Sequence, residues 1–168
     1  MTISIHQPNY LPWLGFFDKI KRSDKFVIFD NVQYPRGKNH FGNRNKIKIH
    51  NNSKWLTVPV AGKSQKLNIN EIGFKDNNWR NEHLRLIEIF YKDAPFFKDY
   101  FHSINDILLY DFKTLCSLNI HLIKYFLKVL NIETKVILSS SLVSNEVLGA
   151  DRIITILEKL KATKYITG

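Results

Sequence analysis

The first thirty residues read as strand, helix, strand, and that unit constrains the fold more than any other feature. Thr2–His6 is a short β-type run. Pro12–Arg22 puts Trp13, Phe16, Phe17 and Ile20 on one face at helical spacing, with Pro12 suited to the first turn. Lys25–Asp30 (KFVIFD) is an apolar run of the kind buried on both faces. Two short strands joined through a helix are expected side by side and parallel, with the helix packed on them.

The alternation continues along the chain. Lys46–Ile49 and Trp55–Val60 read as two further strands, Pro59 setting the second near an edge or strand end, and residues 61–78 as connection. Trp79–Tyr91 is a helix with Leu84, Ile87 and Tyr91 on one face, and Pro95 opens a short helix through Phe101. Ser103–Leu130 is the longest helical pattern, with Ser103 and Asp106 as a variant capping box and a wide apolar stripe that predicts a core helix. Lys135–Leu138 is a strand, Ala150–Leu160 a helix and Lys164–Ile166 a last strand. The expected fold class is α/β: a mostly parallel sheet with helices packed on it, a β-meander insertion and a helical segment, in a single domain over 1–168. The last strand ends at Tyr165-Ile-Thr-Gly168, where an α/β sheet usually carries a ligand loop, so a C-terminally truncated chain is expected.

Composition removes several classes. Twelve Phe, seven Tyr and three Trp exclude a disordered tail, and one Cys excludes a disulfide scaffold. No stretch of about 18 apolar residues reads as a membrane span. Met1 leads directly into a short strand rather than a secretory leader, so a cytoplasmic location is expected.

The net charge of +10 is uneven. Residues 1–70 hold 12 Lys or Arg against 3 Asp or Glu, whereas 71–168 hold 13 against 12. The densest stretch, Tyr34–Lys48, has five cations and no acid, and its glycines and asparagines suit a loop whose backbone approaches a ligand. Such a patch attracts a phosphate, a nucleotide or a nucleic-acid backbone. Lysine outnumbers arginine 19 to 6 beside 16 Asn and 20 Ile, which gives the scattered lysines a plainer origin in compositional bias.

Two constellations carry chemistry. In Ile5-His-Gln-Pro-Asn-Tyr-Leu-Pro-Trp-Leu-Gly-Phe-Phe-Asp-Lys-Ile20 a strand ends in a polar turn and a helix opens, so free N–H groups and the positive helix end lie beside His6 and Gln7. A strand-end histidine binds phosphate when charged and acts as acid or base when neutral; a satisfied structural histidine is its plainer reading. In Phe29-Asp-Asn-Val-Gln-Tyr34 and Phe41-Gly-Asn-Arg-Asn-Lys46, Asp30 ends its strand at the same sheet edge. There it could orient a hydroxyl, an amine or the histidine, or simply cap a turn. Arg44 has the fork for a carboxylate or phosphate. His6, Asp30 and Arg44 are expected to share one hollow.

Other chemistries find little support. Cys116 falls on the apolar face of the long helical pattern and reads as a small buried hydrophobe. His83, His102 and His121 fall in helical patterns and are expected at the surface or half-buried. No Cys/His spacing matches a zinc site, so no metal is expected, and GxGxxG, GK[ST] and GxSxG motifs are absent.

IHQPNYLPWLGFFDKI, DKFVIFDNVQY, FGNRNKIK and WLTVPV in this order, then Tyr91…Ala94-Pro-Phe-Phe97 and Ala162-Thr-Lys-Tyr-Ile-Thr-Gly168, resemble the WbqC-like family of bacterial proteins over essentially the whole chain. The resemblance implies a setting in surface-polysaccharide and O-antigen assembly, and a transferase that passes an acyl or aminoacyl group to an amino sugar. The expected cofactor or co-substrate is a nucleotide sugar or a carrier-linked acyl donor. The expected partners are a phosphate-bearing small molecule and an acyl or aminoacyl carrier protein. On this reading His6 and Asp30 are catalytic, and Gln7, Asn9, Tyr10, Trp13, Gln33, Tyr34, Arg36, Lys38, Asn43, Arg44, Asn45 and Thr167 bind substrate. Two alternatives stay open. One is a nucleotidyltransferase-like enzyme, whose paired histidine motif this sequence lacks. The other, ranked behind a small ligand, is a nucleic-acid or partner-binding module using the 34–48 loop, with Tyr34, His40 and Phe41 as stacking surfaces.

Overall fold

A computed structural model describes residues 1–35, 37, 40–62 and 66–167. The expected α/β class holds, with four parallel strands at its centre. These are β1 (Thr2–His6), β2 (Lys25–Ile28), β5 (Lys135–Leu138) and β6 (Lys164–Ile166), in the order β5-β2-β1-β6. Pairing runs Ile3 to Lys25 and His6 to Ile28 between β1 and β2, and Thr2 to Lys164 between β1 and β6.

This order makes the sheet doubly wound. The chain leaves β1 through α1 (Leu14–Lys21) toward β2, and leaves β5 through α5 (Gly149–Lys159) back across to β6. Crossovers of one hand running in opposite directions put their helices on opposite faces. The cores agree. Phe16, Phe17 and Ile20 of α1 pack with Phe26 and Ile28, whereas Ile156 of α5 and Leu160 after it pack with Ile3, Ile5 and Val27. The strand order reverses between β1 and β6, which is where ligands enter open α/β sheets at the carboxyl ends of the strands.

Between β2 and β5 the chain builds a second lobe. The meander is an antiparallel hairpin, β3 (Arg44–Ile49) and β4 (Asn52–Thr57), followed by α2 (Asn78–Tyr91), α3 (Phe97–Leu109) and α4 (Leu115–Val129). The single long helix expected over Ser103–Leu130 is instead α3 and α4. Tyr110 turns extended at ψ 141°, and Thr114 caps α4 by accepting from the Ser117 N–H at 3.2 Å. Ser103 and Asp106 therefore lie inside α3 and cap nothing. Helix α4 joins the lobes, giving Leu115, Leu118 and Leu122 to the insertion core and Ile123 and Leu127 to the sheet. Cys116 is buried there, and burial pushes its thiol up to about 12, so it behaves as a hydrophobe.

One histidine departs from expectation. His102 and His121 are exposed, but His83 of α2 is buried, and its Nδ1 lies 2.9 Å from the Tyr10 hydroxyl. Two arginines are also structural. Arg80 donates to the Leu108 and Tyr110 carbonyls at 2.6 Å each, closing the end of α3. Buried Arg152 of α5 donates to the carbonyls of Asn31, Val147 and Ser144, and so fixes the loops at the sheet's carboxyl edge.

Candidate functional site

Alternation along β1 decides what its last residues can reach. Ile3 and Ile5 face α5, so Ser4 and His6 face α1, and Gln7 turns to the other side again. His6 and Gln7 accordingly line different clefts on the two sides of the strand end.

The His6 cleft encloses about 200 Å³ at the β1–β6 switch point. It is lined by His6, Trp13, Phe16, Asp18, Lys19, Arg22 and Thr167, together with Gly15 and Ile166. The His6 ring meets Phe16 edge-on at 5.2 Å and Trp13 at 6.3 Å. Its Nδ1 is 2.9 Å from the Gln7 carbonyl oxygen. A carbonyl only accepts, so Nδ1 carries the hydrogen, and the neutral ring has its lone pair on Nε2. Burial lowers the imidazole pKa below its ordinary value, against a smaller rise from the Gln7 carbonyl, and the nearby Lys19 charge lowers it further. At neutral pH His6 is therefore an uncharged base.

The charges around it are cationic on balance. Lys19 Nζ lies 3.2 Å from the Ile5 carbonyl, and Arg22 pairs with Asp18 across one helical turn at 3.5 Å. The first turn of α1, with its partial positive charge, forms another wall. At Gly15 a Cβ would sit 2.7 Å from Trp13 Nε1, so the glycine lets the indole fold back over the helix start.

Gln7 opens on a larger cleft of about 570 Å³ above the α5 face. Asn31, Gln33, Asn68 and Asn145 line it with Lys66, Arg152 and the start of α5 at Gly149. Amide side chains supply most of its polar groups beside apolar Phe29, Val32 and Leu148, which suits an uncharged ligand that carries hydroxyls on an apolar frame.

Structure and sequence diverge at Asp30. The shared hollow for His6, Asp30 and Arg44 is not formed. Asp30 is buried between β2 and β5: Oδ1 accepts from the Ser139 hydroxyl and the Ser140 N–H at 2.9 Å each, and Oδ2 from the Ser140 hydroxyl at 2.7 Å. Its carboxylate fastens the turn after β5, as the capping reading of an Asp at a strand end allows. Arg44 opens β3 and stacks on Trp55 at 4.2 Å.

The remaining expected residues divide. Trp13 and Thr167 line the His6 cleft; Gln7 and Gln33 line the amide cleft. Tyr10 is fully buried in the insertion core, and Asn9 and Tyr34 are buried, Tyr34 against the His40 ring. Asn43 donates to the Val58 carbonyl at 2.8 Å, and Asn45 to the Leu11 carbonyl, so both hold backbone. Arg36 and Lys38 lie outside the described residues. Sequence reasoning missed Lys19, Arg22, Asn68, Asn145 and Arg152. The first two had a signal, since Asp18, Lys19 and Arg22 sit off the apolar stripe of their helix.

The two motif segments do meet. Tyr10 N–H donates to the Phe41 carbonyl at 2.9 Å, and buried Asn119 of α4 donates to the carbonyls of Pro8 and Gly42 at 2.9 and 2.7 Å. Phe41 is thereby set beside Trp13, ring to ring at 5.3 Å.

Among the described residues no group of three or more His, Cys, Asp or Glu is placed to hold a metal ion, and no helix is long and apolar enough to cross a membrane. Residues 7–168 match the WbqC-like protein family. The uncharacterized protein Rv1507c of Mycobacterium tuberculosis is 32% identical over 169 residues, covering 99% of this chain and 71% of that protein. No solved structure matches the chain.

Proposed function

The chain belongs to the WbqC-like protein family, and on that footing we propose that it is a transferase holding a phosphate-bearing donor in the His6 cleft. The acceptor is an amine, in the family's setting that of an amino sugar, and the group transferred is acyl or aminoacyl. One observation carries this reading: a neutral imidazole with its lone pair on Nε2 shares a switch-point cleft with Lys19, Arg22 and a helix start.

The chemistry follows from those groups. Lys19, Arg22 and the first turn of α1 hold the donor's phosphate. The acceptor nitrogen attacks the donor carbonyl carbon, and His6 Nε2 takes the proton that the nitrogen loses. The C–N bond forms, the bond to the leaving group breaks, and the imidazolium returns the proton to that group. The Gln7 carbonyl supports the charged intermediate by keeping its hydrogen bond from Nδ1.

A thermal-shift screen with nucleotide sugars, acyl-CoA and ATP tests the binding half. A ligand at 100 times its Kd stabilises by about 2.7 kcal/mol, which moves the midpoint of a chain this size by roughly 5–10 °C. Phosphate-bearing compounds should raise the midpoint, their dephosphorylated counterparts should not, and Lys19→Ala should remove the shift. A midpoint unmoved by every compound, or a shift that Lys19→Ala leaves intact, contradicts the assignment.

Nucleotidyl transfer is the second reading, favoured by the helix start in the cleft wall, which suits a polyphosphate. ATP–pyrophosphate exchange by the purified protein would distinguish it.

A further inference from the structure

We propose that the aromatic and basic face running from the His6 cleft onto the β3–β4 hairpin binds the nucleoside end of the donor, which makes the donor a nucleoside diphosphate conjugate. This rests on the phosphate site proposed above and adds the part of the ligand beyond it.

The face begins at the cleft wall. Trp13 is ring to ring with Phe41 at 5.3 Å, and Phe41 with Trp55 at 6.0 Å. These rings are 45%, 38% and 38% exposed, so three large aromatics in a row keep much of their surface in water. Such a row marks a binding surface rather than scattered exposure. Trp13 also meets His6, so the row starts where the phosphate is placed.

The cations sit on the same track. Period-two alternation puts Arg44, Lys46 and Lys48 on one face of β3, and the register sets Lys46 opposite Trp55. The Arg44 guanidinium lies 4.2 Å from the Trp55 ring centre and the Lys46 ammonium 5.1 Å. Residues 42–57 contain no Asp or Glu, so the hairpin supplies no carboxylate of its own to that face. Aromatic faces with cations across them bind a planar ring carrying phosphates.

Two features select a nucleoside diphosphate over other anions. A lipid surface needs an apolar patch free of charge, and here the last ring of the row, Trp55, carries Arg44 and Lys46 across its face. A polynucleotide needs a groove long enough for several nucleotides, and this track ends in a small cleft of about 200 Å³, room for a terminal phosphate group.

Calorimetric titration of the whole chain with UDP, ADP, inorganic pyrophosphate and a ten-nucleotide single strand of dT tests the assignment. UDP or ADP should bind at least tenfold more tightly than pyrophosphate, since stacking one base is worth about that factor. Trp55→Leu should bring nucleotide affinity down to that of pyrophosphate and leave pyrophosphate unchanged. Phe41→Leu serves if Trp55→Leu does not fold, as judged by its thermal midpoint. Pyrophosphate binding with no gain from a nucleoside overturns the track and leaves the phosphate site standing. No binding of pyrophosphate or nucleotide overturns both. Tight, steeply salt-dependent binding of the dT strand without UDP or ADP binding makes this a nucleic-acid surface and also overturns the proposal.

Discussion

His6→Ala is expected to lower turnover of the proposed transfer reaction by ~10²–10⁴, the usual contribution of a positioned general base, and to leave the fold intact. The ring lies at the end of β1, in contact with Trp13 and Phe16, so truncation empties part of a cleft rather than a core. His6→Asn separates positioning from basicity: its amide can still donate to the Gln7 carbonyl but has no lone-pair nitrogen to accept a proton. Steady-state rates of the two variants should fall together. In the wild type the rate should stay level through neutrality and fall only as pH drops through the lowered imidazole pKa, below the ordinary 6.5. A loss under threefold in a folded His6→Ala protein removes the base role.

Acid should destabilise the fold through His83. Burial lowers this imidazole from 6.5 to about 4, against a smaller rise from the Thr57 backbone. Between those values the unfolded chain binds a proton that the folded ring refuses. The stabilisation is complete above about pH 6.5 and is lost as pH falls toward 4, at a cost of roughly 3 kcal/mol. The buried Tyr10 hydroxyl depends on the same neutral ring, since it donates to His83 Nδ1 only while that nitrogen keeps its lone pair. His6, also lowered, adds in the same direction. Urea unfolding at a series of pH values should show this slope, and His83→Gln, which keeps an acceptor without titrating, should remove most of it. An unchanged slope in that variant places the acid sensitivity elsewhere.

Much of the fold was legible because it is written locally. Strand runs, the apolar face of α1 and the order of elements all sit in windows shorter than a helix, and they predicted the parallel sheet. The break between α3 and α4 was not. Ile107, Leu108, Leu115 and Leu118 keep a helical rhythm across it, while the stop lies in the Thr114 cap, where Thr114 and Ser117 satisfy each other. The legible signal there was a Thr-x-x-Ser pair.

The grouping of residues at the candidate site was legible only in part. His6, Trp13 and Thr167 reach one cleft because strand-end positions in a parallel sheet share an edge. Asp30 shares the edge too, but its partners Ser139 and Ser140 are more than one hundred residues away and claim the carboxylate. Tyr10 reads as a binding residue beside the motif, yet His83, 73 residues on, draws it into the core. Such pairings are set by tertiary packing that no local window contains.

The claim on which the account turns is that His6 is a neutral base beside a bound phosphate. Long-range ¹⁵N NMR of the imidazoles at pH 7, with and without pyrophosphate, tests it most directly. His6 should be the Nδ1–H tautomer, and its Nε2 resonance should move on titration while that of His83 does not. Lys19→Ala should abolish the movement. A His6 that is protonated at pH 7, or one indifferent to pyrophosphate, contradicts the claim.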